Sequence, residues 1–437
     1  MPALRSHPLV IAVALSLLMT ACSPFARYTE QTLDPAVSAT KLTDRHLSAK
    51  TWSLQGLTDE AIKHHPDIAV ARAKYDSAMA AVITAGERPN PTVTLSPQII
   101  TPYTKWIAGT YGVDFDWTIE TSGKRSKRLL IAHSQVRAAA AEVIDVTWKV
   151  RSAVRKAFLE VYAAEQRVKL LNEAITQQGE LLKTLDDRIK AGSESRSATS
   201  QARLLQAQLR LQTAESARLA AVARASLAEA LAMGVRGLEG VPFSYAAFES
   251  SQASAPGKMK ALTHRADVLA SLAGYAAAEA TLRLEIAKQY PDLHLNPGYQ
   301  LDAGENKWAL GIGLTLPLLN HNQGAIGEAE AKRKEAAAMF ESVQTKVLAD
   351  YDLAAVTLEA ARTKLATTNA LLEEQARQVA SEERLLAAGS GDRSALLSAK
   401  VEQATTSVAR VDSVVEIQAA LGALEEATQT PLTQSHR

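Results

Sequence analysis

The 437-residue sequence predicts a mixed α/β membrane protein in which one structural unit occurs twice. Each unit gives two strands to a β-barrel and one long helical hairpin to a stalk in water. Three observations predict it. The chain matches itself at a shift of about 200 residues, 64 falling on 264. Four stretches alternate apolar with polar or very small residues, the period of a strand with two unlike faces. Between them run long segments rich in Ala, Leu, Glu, Gln, Arg and Lys, the composition of extended helices.

At the amino end, Arg5 and His7 precede an apolar run of eleven residues, Leu9 to Met19. That run is too short to span a bilayer and suits the core of a signal peptide. Thr20-Ala21-Cys22-Ser23 resembles a bacterial lipoprotein processing site. Residues 1–21 are therefore expected to be a signal peptide, Cys22 the lipidated residue, and 22–50 a lipid-anchored linker. Ordinary secretory cleavage near Ala21 is the alternative, and both export the chain. A lipid chain would add a tether of about 0.8 kcal/mol per buried methylene. Cys22 is the single cysteine, which excludes a disulfide within the chain.

Two repeats follow, at 51–242 and 257–431, joined by a linker at 243–256 and ended by a tail at 432–437. "AIKHHPDIAVARAKYDSAMA" lies over "ALTHRADVLASLAGYAAAEA", with His64 on His264, Asp67 on Asp267 and Tyr75 on Tyr275. Farther on the shift becomes 197: Thr118 falls on Thr315, and "AGSESRSA" (191–198) on "AGSGDRSA" (388–395). Each copy reads helix, strand, strand, long helix, glycine turn, long helix.

The strands are expected at 90–103, 110–121, 290–302 and 307–319. In the second, Val113, Phe115, Trp117 and Ile119 alternate with Asp114, Asp116, Thr118 and Glu120; in the fourth, Leu310, Ile312, Leu314, Leu316 and Leu318 alternate with Gly311, Gly313 and Thr315. An antiparallel sheet with one solvated face would read this way. So would a transmembrane barrel, apolar toward lipid and polar toward a lumen. Tyr103, Trp106, Tyr111, Tyr290 and Trp308 near the strand ends suit interfacial belts. Asp114, Asp116, Glu120, Asp292 and His294 are the lumen-lining candidates. Four strands cannot close a barrel, and an open sheet edge cannot lie in lipid. Several chains must then share one barrel, and three copies would supply twelve strands.

The long helices, from about 126 to 190 and from about 327 to 388, are too polar to cross lipid. Val136, Val143 and Val150 recur at the seven-residue spacing of a coiled-coil seam. The hairpin tips fall near 191–197 and 388–394, where Gly192 and Gly389 fit the left-handed position that ends a helix. Ser193 and Ser390 follow the glycines; Arg196 and Arg393 recur in both tips although a turn does not need them. At the joins from strand to helix, Gly123, Lys124 and Arg125 serve the first copy; Pro317, Asn322 and Gly324 end the strand and re-aim the chain in the second.

No chemistry-bearing constellation appears. The formal net charge is +1, which gives no field for nucleic acid. The adjacent pair His64-His65 would face apart on a helix and suits a helix start better than a metal site. No nucleophile motif, phosphate loop or zinc spacing occurs. No catalytic residue, resident metal or cofactor is expected.

The twofold repeat, the strand–helix order, the glycine tips and the joins "IETSGKRSKR" and "PLLNHNQGAIGEAEA" make residues 54–431 similar to the outer-membrane factor family. These are the TolC-like exit ducts of tripartite efflux systems, and the joins most resemble the heavy-metal CzcC-like branch. The resemblance implies a homotrimer in the outer membrane of a Gram-negative bacterium, with a twelve-stranded barrel and a periplasmic helical tunnel. It also implies docking of the tips to a periplasmic adaptor and an inner-membrane, proton-driven RND-type pump. Family members often carry a carboxylate ring just after the second tip glycine; here Ser394, Ala395 and Ser398 stand there, and the nearest carboxylate is Asp392. The cargo implied is heavy-metal cations. A duct for drugs or other organic compounds is the alternative, and a soluble periplasmic coiled-coil scaffold a second.

Overall fold

The computed structural model describes residues 29–99, 109–248, 257–302 and 304–432. Cys22, the signal segment, Tyr103 and Trp106, the tail after 432 and the later part of the 243–256 linker lie outside the described residues. The chain divides into two units, Met1–Arg45 and His46–Arg437. In the first, part of the expected linker is helical. Helix α1 (Pro35–Thr43) starts at Asp34, whose Oδ1 accepts the Ala36 N–H at 2.8 Å, with Pro35 at the first helical position.

In the second unit the order is β1 (Trp52–Ser53), α2 (Leu54–His64), α3 (Pro66–Gly86), β2 (Thr92–Ile99), β3 (Gly109–Ile119), α4 (Lys124–Lys190) and α5 (Arg196–Ala230). After these come β4 (Phe243–Ser244), α6 (Lys258–His264), α7 (Ala266–Ala287), β5 (Leu293–Asp302), β6 (Glu305–Leu314), α8 (Gln323–Ala387) and α9 (Arg393–Thr428).

Ahead of each strand pair there are two helices in place of the expected one. His65 is extended (φ −68°, ψ 127°), as a residue before proline prefers, and its Nδ1 accepts the Asp67 N–H at 3.2 Å. His65 is therefore a helix cap. In the second half the break falls at Arg265, whose guanidinium is tied to Asp267 at 2.7 Å and to the Ala427 carbonyl at 3.2 Å.

The four long strands form one antiparallel sheet in the order β2–β3–β5–β6. The register puts Val93 beside Phe115, Leu95 beside Val113, Trp117 beside Leu295 and Ile312 beside Leu295 on one face. On the other face Thr94 stands beside Asp114, Thr118 beside His294 and Asn296 beside Gly311. Gly311 allows the close pairing there: a Cβ would lie 3.2 Å from that of Asn296. Strand ends differ from expectation. The fourth strand stops at Leu314, not 319, so Leu316 and Leu318 lie beyond the sheet and Pro317 does not end it. The third begins at Leu293, not 290. Pro291 has no N–H to offer the ladder and the Asp292 carboxylate is bound to the neighbouring join, so Leu293–Leu314 is the last rung.

The helices lie side by side. Next to the sheet the sequence of contacts is α3–α4–α7–α8, and along the hairpins it is α5–α4–α9–α8. At 67 and 65 residues, α4 and α8 each reach about 100 Å. Of the expected valine seam only Val150 is buried; Val136 and Val143 are half-buried. The largest core joins α2, α4 and α5 to β1 and β4 around Phe158, Leu57, Leu227 and Phe248. Residues 243–248, expected as linker, belong to this core. Phe243, Tyr245 and Phe248 stack on Phe158 with centroids 5.5, 5.1 and 5.6 Å away, an arrangement aromatic pairs favour.

Candidate functional site

Three places carry the sequence-predicted residues: hairpin tips, strand–helix joins, and the polar face of the sheet. At the tips Gly192 and Gly389 both have φ +74°. In the first, Gly192 N–H donates to the Ile189 carbonyl at 3.0 Å and Ser193 N–H to that of Arg188 at 2.9 Å. In the second, Gly389 and Ser390 make the same two bonds to Leu386 and Leu385. Both helices thus end in the motif in which a left-handed glycine satisfies the last carbonyls. Arg196 is exposed, and Arg393 is exposed with Glu180 3.9 Å away.

Sequence reasoning missed the contact that joins the tips. The Arg188 guanidinium donates to Asp392 Oδ1 at 2.7 Å and Oδ2 at 2.9 Å, and to Ser394 Oγ at 2.9 Å. Asp392 also caps α9, accepting the Ser394 N–H at 2.8 Å. Burial pushes the Asp392 carboxyl up, but the bonds from Arg188 and Ser394 outweigh it and hold it below the ordinary carboxylate value. A signal for this clamp exists in the repeat. At the 197-residue shift Arg188 falls on Leu385 and Asp392 on Ser195, so the clamp is made where the two tips differ.

At the joins Gly123 (φ 64°) and Asn322 (φ 61°) hold equivalent left-handed positions just before α4 and α8. Glycine enters that region freely and asparagine tolerates it. Asn322 is further held by Nδ2 bonds to the Glu285 carbonyl at 2.8 Å and its Oε2 at 2.9 Å. Gly324, expected to re-aim the chain, is the second residue of α8 and has no unusual φ; Asn322 makes the turn. Lys124 is buried and bonds Asp292 Oδ1 at 2.8 Å and the Tyr290 carbonyl at 2.7 Å. Thr121 N–H donates to the same carboxylate oxygen at 2.8 Å. Burial pushes the Asp292 carboxyl up, while Lys124 and Thr121 outweigh it and bring it below its usual value. Arg125 donates to the Gly86 carbonyl at 2.6 Å and Arg128 to that of Glu87 at 3.1 Å, closing the carboxyl end of α3.

Two lumen-lining candidates are thereby removed from the open face. Asp292 precedes β5 and belongs to the join. Glu120 follows β3 and binds Arg128, one oxygen at 3.0 Å. Asp114, Asp116 and His294 remain together on the polar face, with His294 Nδ1 3.0 Å from Asp116 Oδ1 and 3.3 Å from Thr118 Oγ1. Among the described residues no three His, Cys, Asp or Glu side chains gather as metal ligands, and no helix is long and apolar enough to cross a membrane.

The opposite face is apolar and uncovered. Leu95 is 65% exposed, Trp117 58%, Trp308 80%, Leu310 71% and Ile312 68%. A sheet presenting so much apolar surface, with neither edge paired among the described residues, is an unfavourable surface to leave in water.

Known proteins share this arrangement. The crystal structure of the outer membrane protein VceC from Vibrio cholerae superposes with a TM-score of 0.71 at 20% identity, over 87% of this chain and 97% of that one. The CmeC outer membrane channel of Campylobacter jejuni gives 0.71 at 16% identity, over 95% and 96%. At such identities the likeness establishes the fold. The cobalt-zinc-cadmium resistance protein CzcC of Cupriavidus metallidurans is 29% identical over 284 residues, 62% of this chain; the match spans 65% of the length of that relative. The family described as "Outer membrane efflux protein" matches residues 57–233 and 259–429, one stretch in each half. With well over half of its length matched, the chain belongs to the outer membrane efflux protein family, whose members are channels and not enzymes.

Proposed function

We propose that three copies of this chain close one outer-membrane exit duct for heavy-metal cations. The carrying observation is the four-stranded sheet. Its edges β2 and β6 have no partner strand among the described residues, and its apolar face is exposed. Twelve strands in a ring would pair β6 of one copy with β2 of the next and leave no edge in lipid. The helix rows have matching open sides, α8 at one end and α3 and α5 at the other. Continued around the ring, they would enclose a tunnel in the periplasm. Cys22, lipidated, would add a second attachment to the membrane.

Conduction is passive. An inner-membrane, proton-driven RND-type pump supplies the free energy and a periplasmic adaptor couples it to the tips, through Gly192, Ser193, Arg196, Gly389, Ser390 and Arg393. Asp114, Asp116 and His294 would face the lumen and favour cations modestly, within the screening distance of about 8 Å. Two carboxylates and one imidazole per chain bind weakly enough to release what passes. Support for metal cargo comes from the likeness to CzcC. Deleting the gene and measuring sensitivity ion by ion tests it. Increased sensitivity to cobalt, zinc or cadmium, reversed by the intact gene, is expected. Sensitivity to organic toxicants alone would assign the duct to that cargo instead.

A further inference from the structure

We infer that the segment Thr315–Leu319, between β6 and α8, forms a lip whose leucines insert into phospholipid at the periplasmic boundary of the membrane. The inference rests on the barrel reading. Leu316 is 61% exposed, Leu318 75% and Leu319 99%, although none belongs to a strand or helix. Three exposed leucines within four residues make a patch that water disfavours.

The alternation along the chain points to the medium that covers it. Trp308, Leu310, Ile312 and Leu314 occupy the exposed apolar face of β6. Leu316 and Leu318 continue the same alternation past the last rung, where Leu314 meets Leu293. The apolar surface assigned to lipid therefore extends beyond the hydrogen-bonded barrel.

The backbone sets the depth. Among the described residues, the segment's one internal backbone bond is the Leu318 N–H to the Leu316 carbonyl at 2.9 Å. Pro317 has no N–H to satisfy. A chain so poorly paired cannot lie in hydrocarbon. It must run at headgroup level, with only its side chains reaching inward. Tyr290 is 58% exposed three residues ahead of Leu293, at the same end of the sheet, and such a ring suits the interface. Asn320, His321 and Asn322 follow at once and return the chain to water.

Depth measurement by electron paramagnetic resonance tests this directly. Nitroxide labels are placed singly through Ile312→Cys, Leu316→Cys, Leu318→Cys, Leu319→Cys and, as aqueous reference, Ser193→Cys. The protein is reconstituted into vesicles of phosphatidylethanolamine and phosphatidylglycerol. Unsubstituted protein, carrying only Cys22, supplies the background to subtract. Collision with oxygen should exceed collision with a water-soluble nickel chelate at Ile312, and the ratio at 316, 318 and 319 should shift from the Ser193 value toward the Ile312 value. If Ile312 meets oxygen but the three leucine positions meet the nickel chelate, the lip lies in water and the inference is overturned. If those positions meet neither reagent, a second copy covers them and the inference is overturned as well. In both cases the barrel stands. A label at Ile312 that itself meets the nickel chelate or neither reagent would instead remove the barrel reading.

Discussion

Gly389 and Gly192 stand where the chain reverses with φ +74° and with open space beside them. A side chain there meets no neighbour, so the cost of substitution is in the backbone, about 1–2 kcal/mol for a left-handed residue with a Cβ. Gly389→Val should leave the oligomer intact and impair assembly with the adaptor and pump. Co-purification from cross-linked cells, beside the oligomer mass, checks both halves; normal assembly and export would remove the tips from docking. The Arg188–Asp392 clamp makes a separate prediction. The Asp392 carboxyl lies below its ordinary value in the folded protein, so the folded state binds its proton less readily than the unfolded chain does. Its contribution is present above the unfolded value of about 4 and fades as pH falls through the lower folded one. The melting temperature of Asp392→Asn should fall below that of the parent at neutral pH, and the gap should narrow as the pH falls below the unfolded value of about 4. A gap that does not depend on pH would deny the clamp a titrating partner. The glycines were legible in the sequence because a helix end announces itself locally. The clamp was not, because Arg188 and Asp392 lie 204 residues apart and meet only through packing; the repeat marks only that the two tips differ there.

Between elements, the joins tie sheet to helix. Lys124 is the first residue of α4, Asp292 the last before β5, and each is the other's main partner. Lys124→Met leaves a half-buried carboxylate with only the Thr121 N–H, and should cost about 2 kcal/mol. Lys124→Met with Asp292→Leu removes both charges and should recover most of the loss. Urea unfolding in detergent reads the cycle; additive losses would mean that the two residues do not act as a pair. The four strands were visible in the alternation of residues, since only a two-faced sheet requires that period. Their ends were not. Alternation ran on through Leu316 and Leu318, whereas the ladder stopped with its partner strand at Leu293. Asp292 and Glu120 fit a polar face by spacing, yet basic residues of α4 bind them. Residues 243–248 looked like linker because a small, polar stretch, Ser250 to Ser254, follows closely; three aromatic rings among six residues was the signal of a core.

At the scale of the whole molecule, one chain makes a third of the proposed barrel. Among the described residues its sheet ends at two open edges and its helix rows at two open sides. One face of the sheet is apolar and the other polar, as the proposed barrel, with lipid outside and water within, requires. The two-copy sequence that revealed the elements also predicts four long strands per chain, and the described residues hold four; in the proposed barrel no single chain can close them. The shared barrel is tested at its root by the protein mass of the purified, detergent-solubilised complex, from light scattering with detergent subtracted. Three times the mass of one chain is expected. A single-chain mass, with the protein stable in water without detergent, would rule the shared barrel out.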